Sequence, residues 1–235
     1  MNGSSRKTAA GASWLTVMLL VMSAGPGYAQ ATSGSVAPIE KYLMDRDAEI
    51  ALARSAAPET ISKDAEVLVL GRQGYETAVK GSNGFVCLVE RGWAVGFDDP
   101  EFGSLTIRAP ECHNAASAKT NVPLTLKRTE MVLAGMSKEQ MRAGLNAAYA
   151  EGKLTTPVGG EICYMMSKGQ VLNAAAGHWH PHLMFFVPLT EGTTWGANVA
   201  GSPVMGLSDK DNRVTTFVVK VGAWSDGTVA SLEAH

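Results

Sequence analysis

Three histidines, His178, His180 and His182, stand at alternate positions in GHWHPHLMFFVPL, which begins at Gly177. Along an extended chain alternate side chains project to one face at intervals of about 7 Å. Imidazoles so arranged converge on one ion, as in zinc and copper sites. The candidate metal ligands are therefore His178, His180 and His182, with Cys163 or His113 completing the set, and zinc or copper is the expected ion. Asp98, Asp99 and Glu111 read as loop carboxylates open to either a ligand or a supporting role. Two residues inside the run favour an ordinary structural alternative. Pro181 lacks a backbone donor and restricts His180, and Trp179 needs a buried surface, with the histidines bonding to backbone around it.

The same run, with Arg91, supplies the candidate binding residues for an organic ligand: His178, Trp179, His180, His182 and Arg91. Arg72, Tyr75, Lys80 and Arg91 frame an expected hairpin, where Arg91 is suited either to holding an anion or to a solvated strand edge. Trp93, Trp195 and Trp224 offer stacking surfaces, or plugs that fix loops to a core. No catalytic residue can be assigned. The chain has no Walker A loop, no Rossmann glycine fingerprint, no Gly-x-Ser-x-Gly elbow, no His-Glu-x-x-His and no Cys-x-x-Cys.

These side chains must be placed by a fold that the amino terminus sends out of the cytoplasm. Arg6 and Lys7 precede the apolar stretch Trp14–Met22, too short to span a bilayer, and Gly27-Tyr28-Ala29 has the small residues of a cleavage site. Residues 1–29 are expected to be a signal peptide, 30–37 a flexible lead-in, 38–227 one domain and 228–235 a frayed tail. The expected location is the periplasm or the medium. With 20 basic and 22 acidic residues and a net charge of −2, the chain shows no polyanion footprint, so no nucleic-acid partner and no membrane span after cleavage are expected.

In an oxidising compartment thiols pair, and three cysteines give one bridge and one thiol. Cys112 lies in a segment that reads as loop, while Cys87 and Cys163 lie in apolar runs. Cys87–Cys112 is the favoured bridge and Cys112–Cys163 the close alternative; three buried thiols are the ordinary one.

The pattern predicts an amphipathic helix over 38–57, with its charged residues solvated, then strands over 67–70, 75–80 and 85–91. Ser82-Asn83-Gly84 predicts that the last two pair as a hairpin. From Ala94 to Pro123 the chain reads as a long connection with a short helix near 114–119, and 124–133 is ambiguous. Ser137 with Gln140 three residues on predicts a capped helix over 137–151. Strands are expected over 161–167, 182–189 and 215–221. Helices and strands without regular alternation point to an α+β domain, a mainly antiparallel sheet with helices packed on one face.

The stretches NGFVCLVERGW, GHWHPHLMFFVPL and WGANVAGSP together resemble a group of exported bacterial proteins with no known activity. The resemblance runs from about Met44 to Gly227 and implies bacterial origin and export, with no ligand or site attached. The expected function is a non-catalytic ligand-binding or sensory module of the cell envelope that takes a small molecule. The alternative is a metal-dependent hydrolase or oxidoreductase built on His178, His180 and His182.

Overall fold

A computed structural model describes residues 36–173 and 179–231, together with Met1. Among the described residues eight strands form one sheet: β1 (Glu66–Gly71), β2 (Gly74–Val79), β3 (Val86–Glu90), β4 (Ala109–His113), β5 (Glu161–Met165), β6 (His182–Pro188), β7 (Val204–Asp209) and β8 (Val214–Lys220). Their order across the sheet is β2-β1-β3-β4-β5-β6-β8-β7. All neighbours are antiparallel except β1 and β3, which run parallel. The described residues also form four α-helices: α1 (Arg46–Arg54), α2 (Glu59–Ser62), α3 (Ser117–Leu133) and α4 (Lys138–Ala150). The α+β class holds. Among the described residues no helix is long and apolar enough to cross a membrane.

The helices do not share one face, and side-chain alternation shows why. Val67, Val69, Cys87 and Val89 pack with Ala53 of α1 and with Ala56 and Ala57 just after it. Leu68 and Leu88, one residue out of phase, pack with Val122 of α3. Successive residues of a strand point to opposite faces, so α1 covers one face and α3 the other. The expectation of a single helical layer is corrected accordingly. β1 and β3 are apolar at consecutive positions because both of their faces are covered.

Several local expectations also change. The predicted helix over 38–57 is split into a 3-10 turn (Ile39–Lys41) and α1, because Asp45 leaves the helical region and its Oδ1 accepts from the amides of Asp47 and Ala48. The Tyr42 ring in the gap is fully buried, and its hydroxyl donates to the Gly103 carbonyl at 2.6 Å. The predicted hairpin across Asn83-Gly84 does not form. β2 instead folds back on β1 through the tighter Arg72-Gln73 turn, with Gly74 at φ 111°, and lies at the sheet edge. Asn83 still makes a turn, its Oδ1 accepting from the Phe85 amide, and that turn delivers β3 parallel to β1.

The predicted long connection contains β4 and the start of α3, so Cys112 lies on a strand and not in a loop. The favoured bridge is present: Cys87 and Cys112 face each other across β3 and β4. β7, not anticipated from the sequence, forms a hairpin with β8 across the Asp-Lys-Asp-Asn turn. α4 matches its prediction, including the reciprocal bonds between Ser137 and Gln140, and buries Met141 and Leu145 against Met131 of α3.

Candidate functional site

The α3 face of the sheet carries the polar residues. In β3 and β4 the inward positions are Leu88, Glu90, Glu111 and His113, and across the β4–β5 pair His113 stands opposite Cys163, which in turn faces Met184 of β6. α3 presents Ser117, Asn121, Thr125 and Arg128 toward them, all buried. The spacing of four, four and three residues keeps those four side chains on one side of a helix. Between helix and sheet lies a cleft of about 600 Å³ whose wall includes Glu90, Glu111, His113, Asn121, Thr125, Arg128, Met184 and Phe186. Trp93 and Phe97 close one side, and the turn Asp209–Asn212 another.

The groups in this cleft are chained together. His113 Nε2 lies 2.9 Å from Glu111 Oε2, and its Nδ1 lies 2.8 Å from Ser117 Oγ. Asn121 Nδ2 donates to the same hydroxyl at 2.9 Å. With that acceptor position of Ser117 taken, its proton is free to reach His113 Nδ1, and Nε2–H then donates to the Glu111 carboxylate. Cys163 Sγ sits 3.8 Å from Glu111 Oε2 and 3.9 Å from His113 Nε2. One donor atom from each of Glu111, His113 and Cys163 thus lies within 4.8 Å of the others.

Burial, then the nearby Glu111 carboxylate, push the Glu90 carboxyl up to about 8, against the opposing pull of the Thr125 hydroxyl and of Arg128 and Arg91. Thr125 Oγ1 donates to Glu90 Oε1. Near neutrality Glu90 is therefore mostly an uncharged acid. Burial and the Glu111 charge likewise raise the Cys163 thiol well above its ordinary value, so it is not an activated nucleophile. Arg128 is 2 % exposed; its terminal nitrogens donate to Asn212 Oδ1 and the Val95 carbonyl, its guanidinium lies 4.5 Å from the centre of the Phe97 ring, and its buried Nε has no hydrogen-bond partner.

The residues predicted from the sequence are divided among three places. His113, Cys163 and Glu111, named there as supporting donors, come together. His180 and His182 are buried at the start of β6, each beside a backbone carbonyl: His180 Nδ1 lies 3.0 Å from the Ser231 carbonyl oxygen, and His182 Nδ1 donates to the His180 carbonyl at 2.8 Å. Gln170 Nε2 donates to the carbonyls of Trp179 and His180. The Trp179 ring meets both imidazoles edge-on, at 5.6 and 5.0 Å, with Lys220 Nζ 5.0 Å from its centre. Burial lowers the His182 pKa, which favours its neutral ring. His178 lies outside the described residues.

Arg91 borders the cleft but commits all three guanidinium nitrogens elsewhere: Nε to the Tyr42 carbonyl, Nη1 to the Val89 carbonyl and Nη2 to Glu49 Oε1 at 2.7 Å. It is fully buried, unlike the solvated strand edge that was one expectation for it. Asp98 and Asp99 are exposed at the rim; Asp98 pairs with Arg142, and Asp99 accepts from the Glu101 amide. What the sequence reading missed is the α3 side of the site, Ser117, Asn121, Thr125 and Arg128, together with Glu90. The four residues on α3 recur at helical spacing, a polar stripe that carries no hydrophobic period.

Comparison with known proteins supplies no relative for this arrangement: no family model, curated protein or solved structure matches the chain.

Proposed function

We propose that the protein is an exported bacterial module that binds a small polar molecule, without catalysis, in the cleft between α3 and the sheet. The observation that carries this reading is the lining of that cleft. A volume of about 600 Å³ lies within the range of small-molecule sites, which combine apolar walls with a few placed polar groups. Here Trp93, Phe97, Met184 and Phe186 supply the walls, while Asn121, Thr125, Arg128 and the Glu90 carboxyl supply hydrogen-bonding groups of several kinds. Non-catalytic binding is supported by the Cys163 thiol beside the cleft, which burial holds in its protonated form.

Export rests on the amino-terminal pattern, with cleavage before Gln30, and a bridge between Cys87 and Cys112 is compatible with an oxidising compartment. Sequencing the amino terminus of the protein recovered from the periplasm and the medium of a bacterial host tests it; a chain beginning at Gln30 is expected. For the binding reading, small molecules that co-purify with the protein are to be released by denaturation and identified by mass spectrometry, alongside an Asn121→Trp variant whose indole fills the cleft. A compound retained by the wild type and lost from a folded variant supports the cleft. The same compounds from both proteins would remove it.

A further inference from the structure

We propose that Glu111, His113 and Cys163 form a binding site for one divalent ion of the zinc class at the floor of the cleft, with the ion's remaining position turned toward the cleft. The proposal deepens the binding reading above and rests on it only for what occupies that remaining position.

Geometry is the first support. Glu111 and His113 are two apart on β4 and share a face, and Cys163 is the direct cross-strand neighbour of His113, so the register of two central strands sets the three donors. Their separations are 2.9 Å between nitrogen and oxygen, 3.8 Å between sulfur and oxygen and 3.9 Å between sulfur and nitrogen. Around a tetrahedral ion with metal–nitrogen and metal–oxygen distances near 2.0 Å and metal–sulfur near 2.3 Å, donors stand roughly 3.3 to 3.6 Å apart. Each pair is within about half an ångström of that spacing, an adjustment small enough for side-chain rotation.

Donor chemistry is the second. A thiolate, an imidazole and a carboxylate together select a borderline ion over calcium or magnesium, which prefer oxygen alone. Three protein ligands leave a position open, as at zinc sites that accept a further group. Glu111 and His113 line the cleft, and Cys163 lies fully buried beside them, so the open side is the cleft side.

Support around the ligands is the third. A metal-bound imidazole usually donates its other N–H to a fixed acceptor. With the ion on Nε2, Nδ1–H faces Ser117 Oγ at 2.8 Å, and Asn121 holds that hydroxyl in place from the next turn of α3. Cys112, between the two β4 ligands, points the other way into the bridge with Cys87, which fixes the strand that carries them.

Titration of the oxidised, untagged mature protein with cobalt(II), a spectroscopic substitute for zinc, tests the site. A thiolate-to-cobalt charge-transfer band and intense ligand-field bands of tetrahedral cobalt are expected, saturating at one equivalent and abolished by one equivalent of zinc. Cys163→Ser, a near-isosteric change, should lose the charge-transfer band. Ser117→Ala should weaken cobalt binding roughly tenfold, and His113→Ala by more, since even supporting residues contribute factors of about 10 to 100. Thermal melting establishes that each variant is folded. Absence of the charge-transfer band in the wild type, or its persistence in Cys163→Ser, would overturn the proposal. The result is separable from the ligand reading: a zinc-displaceable cobalt spectrum with no cleft-dependent small molecule keeps the metal and removes that reading, and the converse pair of results removes the metal.

Discussion

Glu90 and Arg91 are adjacent in sequence, both buried, and opposite in fate. Arg91 turns toward the α1 face, where its three nitrogens find Glu49 and two carbonyls, and Glu49 Oε1 also accepts from the Leu70 amide. That pair is closed, with complementary charges and each guanidinium nitrogen engaged. Glu90 turns toward α3 and meets a second carboxylate, Glu111, with Thr125 donating to it and Arg128 spread between other acceptors. Its surroundings stabilise the neutral acid better than the anion. The contrast separates a buried charge that ties elements together from one kept beside open volume. Structural pairs are saturated, whereas groups intended for a ligand or an ion retain capacity for it.

The contrast can be broken most severely on the α1 side. Arg91→Ala leaves Glu49 buried and unpaired, and a loss of about 3 to 5 kcal/mol in unfolding free energy is expected by denaturant titration. The double change Glu49→Leu with Arg91→Met should recover most of it; a double variant as unstable as the single one would show that the pair does more than neutralise charge. Replacing Cys87 and Cys112 together by Ala opens a covalent loop spanning 25 residues in separation and should cost about 3 kcal/mol, read as a shift in the same denaturant midpoint.

On the α3 side the expected effects depend on pH. The folded-state pKa of Glu90, about 8, lies above that of an unfolded glutamate. Between those values the native protein keeps a proton that the unfolded chain has released, so stability falls as pH rises through that window and levels off above the folded value. Glu90→Gln, which preserves an acceptor for Thr125, should match the wild type near pH 4 and be the more stable of the two near pH 9, read from denaturant midpoints. Equal stability at both pH values would remove the protonated acid from the description. Glu111→Gln should change stability least, by less than about 1 kcal/mol, because an amide oxygen still accepts from His113. A larger loss, measured by thermal unfolding, would make Glu111 a structural residue like Glu49 and erase the contrast.

Where local signals coincide with the fold, the sequence was informative. β1, β3, β5, β6 and β8 announce themselves as short apolar or β-branched runs, and α4 by its capping box. β4 was hidden because Pro110, Glu111 and His113 resemble a loop, although Glu111 and His113 are the residues that the strand turns toward the cleft. α3 was hidden for a related reason: much of its buried surface is polar, Ser117, Asn121, Thr125 and Arg128 included, and Pro123 lies inside the helix, so hydrophobic periodicity alone does not mark it out. The hairpin was misassigned because Asn83-Gly84 specifies a turn but not a partner, and β1 captures β2 through a closer turn. The site was half legible. Glu111, His113 and Cys163 are each visible as donors, but that they come together is not, because spacing along one strand can be seen in a sequence and register between strands cannot.

β4 carries its chemistry in three consecutive residues, Glu111-Cys112-His113, with the middle side chain on one face and the outer two on the other. A covalent anchor and a donor pair are thus placed back to back through a single thickness of backbone. The donors, placed by strand register, share their strand with a bond made on the opposite face. The bridge adds a covalent tie, beside the ladder pairing with β3 and β5, to the strand that presents Glu111 and His113.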